Sequence, residues 1–156
     1  MRPAPKGRRE APIMVKPDQI AEVMGGTAIL GHTIHSLRDL ELTVSTGLPK
    51  RALRLAVERV YPARSDARRA LFRVVPEATY KRRTRLSPAE SERTERLARV
   101  IAAAEHVWGA RDSAREWLTR PHPELGDRTP LDAALSEVGA RQVEELLDRI
   151  LYGIPA

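Results

Sequence analysis

The chain has 156 residues, 42% apolar but only 4% aromatic, with a formal net charge of +6 and no cysteine. That length holds one compact domain or two small ones around an aliphatic core. A disulfide framework and Cys-based metal sites are excluded, no apolar run approaches the roughly 18 residues of a membrane span, and the N-terminus lacks the apolar stretch of a signal peptide, so a cytoplasmic protein is expected.

Charge divides the chain. Residues 49–85 carry 12 Lys+Arg against 3 Asp+Glu, a net +9, and residues 86–156 carry 9 against 13, a net −4. A basic and an acidic module of this kind suggest two different partners. The basic balance admits nucleic acid through phosphate attraction; a solvated arginine-rich face is the alternative.

Arg2, Lys6, Arg8 and Arg9 lie among prolines and a glycine, so residues 1–16 are assigned as a disordered basic tail. Pro17 to Met24 reads as a short helix stopped by Gly25-Gly26. Thr27 to Thr33 is apolar and glycine-bounded, a turn or a brief extended piece. Ser36 caps a helix from Leu37 to Thr46, with Asp39 at its third position, Leu37, Leu40 and Val44 inward, and Gly47 ending it. His32 and His35 are three apart but have no third ligand nearby, so they read as ordinary side chains. Residues 17–48 form an N-terminal helical segment.

The basic module spans residues 49–86. Lys50 to Val60 is helical, with Ala52, Leu55, Ala56 and Val60 inward and Lys50, Arg51, Arg54 and Arg59 outward. Pro62 breaks it, and Ser65 is expected to cap a second helix, Asp66 to Phe72, with Ala67, Ala70 and Leu71 inward. After Val74-Val75-Pro76, Glu77 to Arg83 forms a short third helix with Ala78 and Tyr80 inward. Three short helices with a tight turn before a basic third one make a helix-turn-helix layout. It places Thr79, Lys81, Arg82, Arg83 and Arg85 at a DNA groove. The same spacing also describes a packing module with a solvated basic rim.

Residues 87–156 form the acidic module. Ser87-Pro88-Ala89-Glu90 combines an N-cap hydroxyl, a proline at the first helical position and a glutamate three residues after the cap. Leu97, Val100, Ile101, Ala104, Val107 and Trp108 follow at steps of three and four, and Gly109 terminates a helix of about six turns. Ser113 with Glu116 reads as another capping box, before Ala114, Trp117 and Leu118. Trp108 and Trp117 are expected as core anchors. Pro121 and Pro123 open a loop to Arg128. Thr129-Pro130-Leu131-Asp132 starts another helix, with Leu131, Ala134, Leu135 and Val138 inward and Gly139 as its end. The last helix is expected from Ala140 to Tyr152, with Val143, Leu146, Leu147 and Ile150 inward and Glu144, Glu145, Asp148 and Arg149 outward.

No stretch alternates at period two over a useful length, so the fold class is all-α: a helix-turn-helix-like module joined by a long helix to a small C-terminal helical module. The sequence has no Gly-rich phosphate loop, no His/Asp/Glu metal spacing and no G-x-S-x-G elbow. No cofactor and no enzymatic activity are expected.

The order of motifs carries a resemblance over nearly everything from Gly31 onward. Gly47-Leu48-Pro49, the basic unit, Arg85-Leu86-Ser87-Pro88, Leu97-Ala98-Arg99-Val100, Ala114-x-x-Trp117-Leu118, Leu125-Gly126, Arg128-Thr129-Pro130-Leu131-Asp132 and Gly139 to Gly153 come in sequence. The chain resembles the Xre/MbcA/ParS family of type II antitoxins. The resemblance implies a cognate RES-domain toxin that degrades NAD or transfers ADP-ribose from it. It also implies a C-terminal domain that closes the toxin's cleft, a homodimer for which residues 17–48 are the candidate element, and repression of the chain's own operon through operator DNA. Glu144, Glu145, Asp148 and Arg149 then become candidate polar contacts to the toxin, and Tyr152, Gly153 and Ile154 the candidate end of the plug. A stand-alone helix-turn-helix regulator is the alternative.

Overall fold

The computed structural model describes residues 15–153. The basic tail lies largely, and Ile154 wholly, outside the described residues. Among these there are ten α-helices and one 3-10 turn, and no strand. They are α1 (Pro17–Val23), α2 (Gly26–Leu30), α3 (Leu37–Ser45), α4 (Lys50–Val60), α5 (Arg64–Val74), α6 (Glu77–Arg82), α7 (Pro88–Trp108), α8 (Arg111–Leu118), α9 (Pro130–Ala133) and α10 (Glu137–Leu151). The 3-10 turn, Pro123–Leu125, sits between α8 and α9.

Helix α7 is the axis. Its 21 residues begin at the expected box: the Glu90 N–H donates to Ser87 Oγ at 3.2 Å, and the Ser87 N–H to Glu90 Oε2 at 3.0 Å. Gly109, at φ +70°, ends it in the left-handed region that suits glycine. Leu97, Ala98, Val100, Ile101, Ala103 and Ala104 are all buried along it, so burial runs round most of the helix rather than along one stripe. That explains how α7 packs against α1, α3, α4 and α5 as well as α8, α9 and α10. The basic and acidic modules therefore share one core. The alanines matter here, because small side chains let several helices approach the same axis.

Two polar contacts fasten the basic module to α7. Ser91 is buried, and its Oγ accepts the Leu48 N–H at 2.8 Å. The Leu86 N–H donates to the Leu48 carbonyl at 2.8 Å, closing a one-residue antiparallel bridge between Pro49 and Arg85. Both ends of the module are thus tied together.

Several expectations are corrected. Residues 27–30 are helical, not a turn or strand, because Gly25 and Gly31 supply left-handed φ at each end of α2. Leu37 is 69% exposed at the first position of α3, where it borders clefts beside α7 instead of entering the core. In α4 the buried face is Ala52, Leu53, Ala56, Val57 and Val60, with Leu55 only half-buried: the stripe is turned by about half a helical step from the expected one. Arg59 is not outward; it is largely buried against Glu105. Ser65 and Ser113 lie inside α5 and α8 instead of capping them, and the N-cap positions of those helices are Ala63 and Ala110, which have no side-chain cap. Ala78 is exposed.

The largest change is at the C-terminal end. Gly139 does not stop a helix. It is the third residue of α10, which Ser136 caps by accepting the Gly139 N–H at 3.0 Å. α9 is one turn long, and α10 runs from Glu137. Val138 therefore falls on the outer face of α10, 67% exposed rather than inward, and Ile150, in the last turn, is 36% exposed. Glycine is required at 139 by contact: a Cβ there would lie 1.9 Å from the Ala133 carbonyl oxygen.

Candidate functional site

Helix α10 is amphipathic by construction. Ala140, Val143, Leu146 and Leu147 are buried at steps of three and four against α7 and α9. The opposite face carries Val138, Arg141, Gln142 and Glu145, all exposed, with Tyr152 exposed just past the end. Leu151 and Tyr152 are each 39% exposed. A valine and a tyrosine left to solvent on one helix face, with Glu145 between them, present apolar area ringed by polar groups.

The carboxylates expected to point outward do not behave alike. Glu144 is half-buried and accepts from Arg99 Nε at 2.8 Å. Arg99 also faces Glu95 at 3.5 Å and Glu137 at 4.0 Å, and Arg96 Nε donates to Glu137 at 2.9 Å. Burial works against the Arg99 charge, but the surrounding Glu95, Glu144 and Glu137 carboxylates outweigh it, and its pKa is raised. Burial also raises the pKa of Glu95, with Glu144 and Glu137 adding to the rise and Arg99 and Arg96 opposing it. This five-member cluster joins α7 to α10 and fixes the rotation of α10 about its axis. Arg149 pairs with Glu124 on the 3-10 turn, its Nη2 3.1 Å from Oε2. Glu145 points to solvent, Asp148 is half-buried, and Gly153 has φ +65°.

The basic module separates its cations in the same way. Lys81 and Arg82 are exposed on the last turn of α6, where a positive charge also suits the helix dipole. Lys81 Nζ lies 3.0 Å from Glu77 Oε1, and Arg68 donates to the same oxygen at 2.6 Å. These two hydrogen bonds, Lys81's first, lower the Glu77 pKa. Thr79 is half-buried. Arg83 donates to Glu90 at 2.7 Å, and Arg85 Nη1 to the Gly47 carbonyl at 2.7 Å. Arg83 thus spans the link between α6 and α7 beside the Ser87 box, and Arg85 ties that link to the segment between α3 and α4. The exposed arginines of α5, Arg64, Arg68 and Arg69, were not singled out in the sequence, yet they lie on the same module. Their i, i+4 and i, i+5 spacing was the available signal.

Elsewhere, Trp108 packs near Trp117, ring centroids 6.4 Å apart, and Trp117 near His122 at the same separation. Trp117 is half-buried, whereas Trp108 at the end of α7 is 39% exposed and so only partly an anchor. His32 Nε2 is 2.7 Å from Thr43 Oγ1, a local tie between the α2–α3 loop and α3. No helix among the described residues is long and apolar enough to cross a membrane.

Comparison with known proteins matches both halves. Residues 39–99 match the antitoxin Xre-like helix-turn-helix domain, and residues 103–153 match the antitoxin Xre/MbcA/ParS C-terminal toxin-binding domain. The first span begins within α3 and runs through most of α7; the second includes all of α8 to α10. Antitoxin Xre of Pseudomonas putida is 34% identical over 84 residues, covering 51% of this chain and 53% of that protein. Antitoxin Xre of Yersinia enterocolitica is 37% identical over 71 residues, covering 45% of this chain and 48% of that protein. The matches thus span about half the length of these relatives. With a helix-turn-helix domain and a toxin-binding domain in this order on one all-α core, the chain belongs to the Xre/MbcA/ParS-type antitoxins of toxin–antitoxin systems.

Proposed function

We propose that this antitoxin neutralises a cognate RES-domain, NAD-consuming toxin by laying the outer face and end of α10 across the toxin's active-site cleft. The observation that carries the reading is the exposed face of α10, where Val138, Glu145 and Tyr152 are solvent-facing while the opposite face is locked onto α7. A cleft that binds a dianionic pyrophosphate needs cationic groups, and Glu145 offers them a carboxylate without first breaking an internal ion pair. Val138 and Tyr152 supply apolar anchors on either side. Glu144 and Arg149 serve differently in this reading: they hold α10 in place through Arg99 and Glu124. The chain supplies no chemistry of its own; it excludes substrate.

The test is co-expression with the toxin encoded beside it. Val138→Asp combined with Glu145→Arg is expected to abolish rescue of growth and co-purification, while circular dichroism stays that of the parent. Full rescue by this double variant would remove α10 from the interface.

Autorepression is the second part of the proposal. It is supported by the exposed Lys81 and Arg82 at the end of α6. Lys81→Ala with Arg82→Ala is expected to weaken binding to the promoter in a gel shift, with a shallower salt dependence than the parent. A stand-alone regulator would keep that DNA binding and show no toxin in pull-down.

A further inference from the structure

Helices α4, α5 and α6 enclose an open groove of about 730 Å3. Its floor is apolar, with Val57, Leu71 and Phe72, and its rim is net cationic, with Arg54, Arg64, Arg68 and Lys81 against one carboxylate, Glu58, which faces Arg54 at 3.7 Å. Phe72 is fixed by an edge contact to Tyr80, ring centroids 6.2 Å apart, and Arg68 lies 5.4 Å over its ring. Among the described residues Arg64 has no hydrogen bond or ion pair, so one rim charge is uncommitted. A nucleic-acid backbone satisfies cations but brings nothing apolar to fill such a floor. The combination suits an acidic segment that carries large apolar side chains.

The chain itself has such a segment. The end of α10 exposes Glu145, Ile150, Leu151 and Tyr152, and it belongs to the −4 part of the sequence, whereas the groove lies within the +9 part. We propose that a second copy of this chain seats the end of its α10 in this groove. Leu151 and Tyr152 would cover the apolar floor, and the Glu145 carboxylate would face the rim arginines. The contact is groove to end, so it closes either as a reciprocal exchange between two copies or as a ring, and otherwise runs on as an open chain. It does not require the toxin reading above. If both hold, toxin and second copy compete for the same end of α10, and free antitoxin is held in a self-associated form.

Sedimentation velocity of the full chain, without any toxin, tests this over a range of concentrations at low and high salt. Two variants are needed: Arg64→Glu with Arg68→Glu in the groove, and Leu151→Asp with Tyr152→Asp at the end, each checked for an unchanged circular dichroism spectrum and melting temperature. The parent is expected to show a concentration-dependent association step that weakens about tenfold from low to high salt. Each variant alone loses that step. An equimolar mixture of the two regains it, because one intact groove and one intact end remain. The proposal is overturned if the parent shows no such step, if either variant associates as the parent does, or if the mixture fails to recover it. Loss of duplex DNA binding by the groove variant with self-association intact would assign the groove to nucleic acid instead.

Discussion

At position 139 a single methyl group decides whether α10 can start where it does. The Cα of Gly139 faces the Ala133 carbonyl at the turn from α9, and backbone has nowhere to retreat. Gly139→Ala is expected to destabilise the fold by about 1–3 kcal/mol, read as a lower urea midpoint at unchanged slope. A change within error would mean that the α9–α10 turn relaxes freely. At Glu95 the sign runs the other way. Its carboxyl is buried and its pKa raised, so the folded state holds a proton more tightly than the unfolded chain does. Its ionised form therefore costs stability, fully so above the raised pKa and progressively less as pH falls toward the ordinary glutamate range. Glu95→Gln is expected to raise stability at neutral pH relative to the parent, with the gain shrinking at pH near the ordinary glutamate pKa. Urea melts of both proteins at the two pH values check it. The reverse order would show that the Arg99 pairing outweighs the burial.

Helix ends show which local signals were decisive. Ser36, Ser87 and Thr129 cap their helices as their sequence contexts predict, each accepting the N–H three residues on. Ser65 and Ser113 carry the same pattern but lie within helices, because α5 and α8 gain their first turns from packing by Ala67 and Ala114 and need no cap. Gly139 misled for a related reason: glycine also marks close backbone approach, and Ser136 three residues earlier was the true start signal. The buried Ser91 was not legible, since its role depends on Leu48, 43 positions away. Ser91→Ala leaves the Leu48 N–H without its partner and is expected to lower stability by about 1–3 kcal/mol. Because the contact ties the basic module to α7, hydrogen exchange should accelerate first at Leu48 and Leu86. Uniform acceleration throughout would place the contact in the common core rather than at that joint.

Across the whole molecule, α7 makes the two charge-divided modules one body. The all-α class, α7 itself and the family were readable from motif order, since caps, prolines and glycines act locally. The buried stripe of α10, Val143, Leu146 and Leu147, and the outward Glu145 were readable as well, but the outward Val138 was not, because it follows from α10 starting at Glu137, and neither was the Arg99 pairing of Glu144 across two helices. Arg83 and Arg85 were not legible for a similar reason: their partners, Glu90 on α7 and Gly47 before α4, are set by how the α6–α7 link lies on the fold. On this account Arg99 positions the toxin-facing helix without touching the toxin. Arg99→Met is expected to weaken toxin binding and to loosen α10 in hydrogen exchange, whereas Glu145→Arg weakens binding with exchange unchanged.

The most direct measurement is inhibition of the purified cognate toxin's NAD consumption by this chain, parent against Val138→Asp/Glu145→Arg. Complete inhibition is expected at stoichiometric parent, and an inhibition constant at least about tenfold weaker for the double variant, with its melting temperature unchanged. Equal inhibition by the two proteins would contradict that expectation.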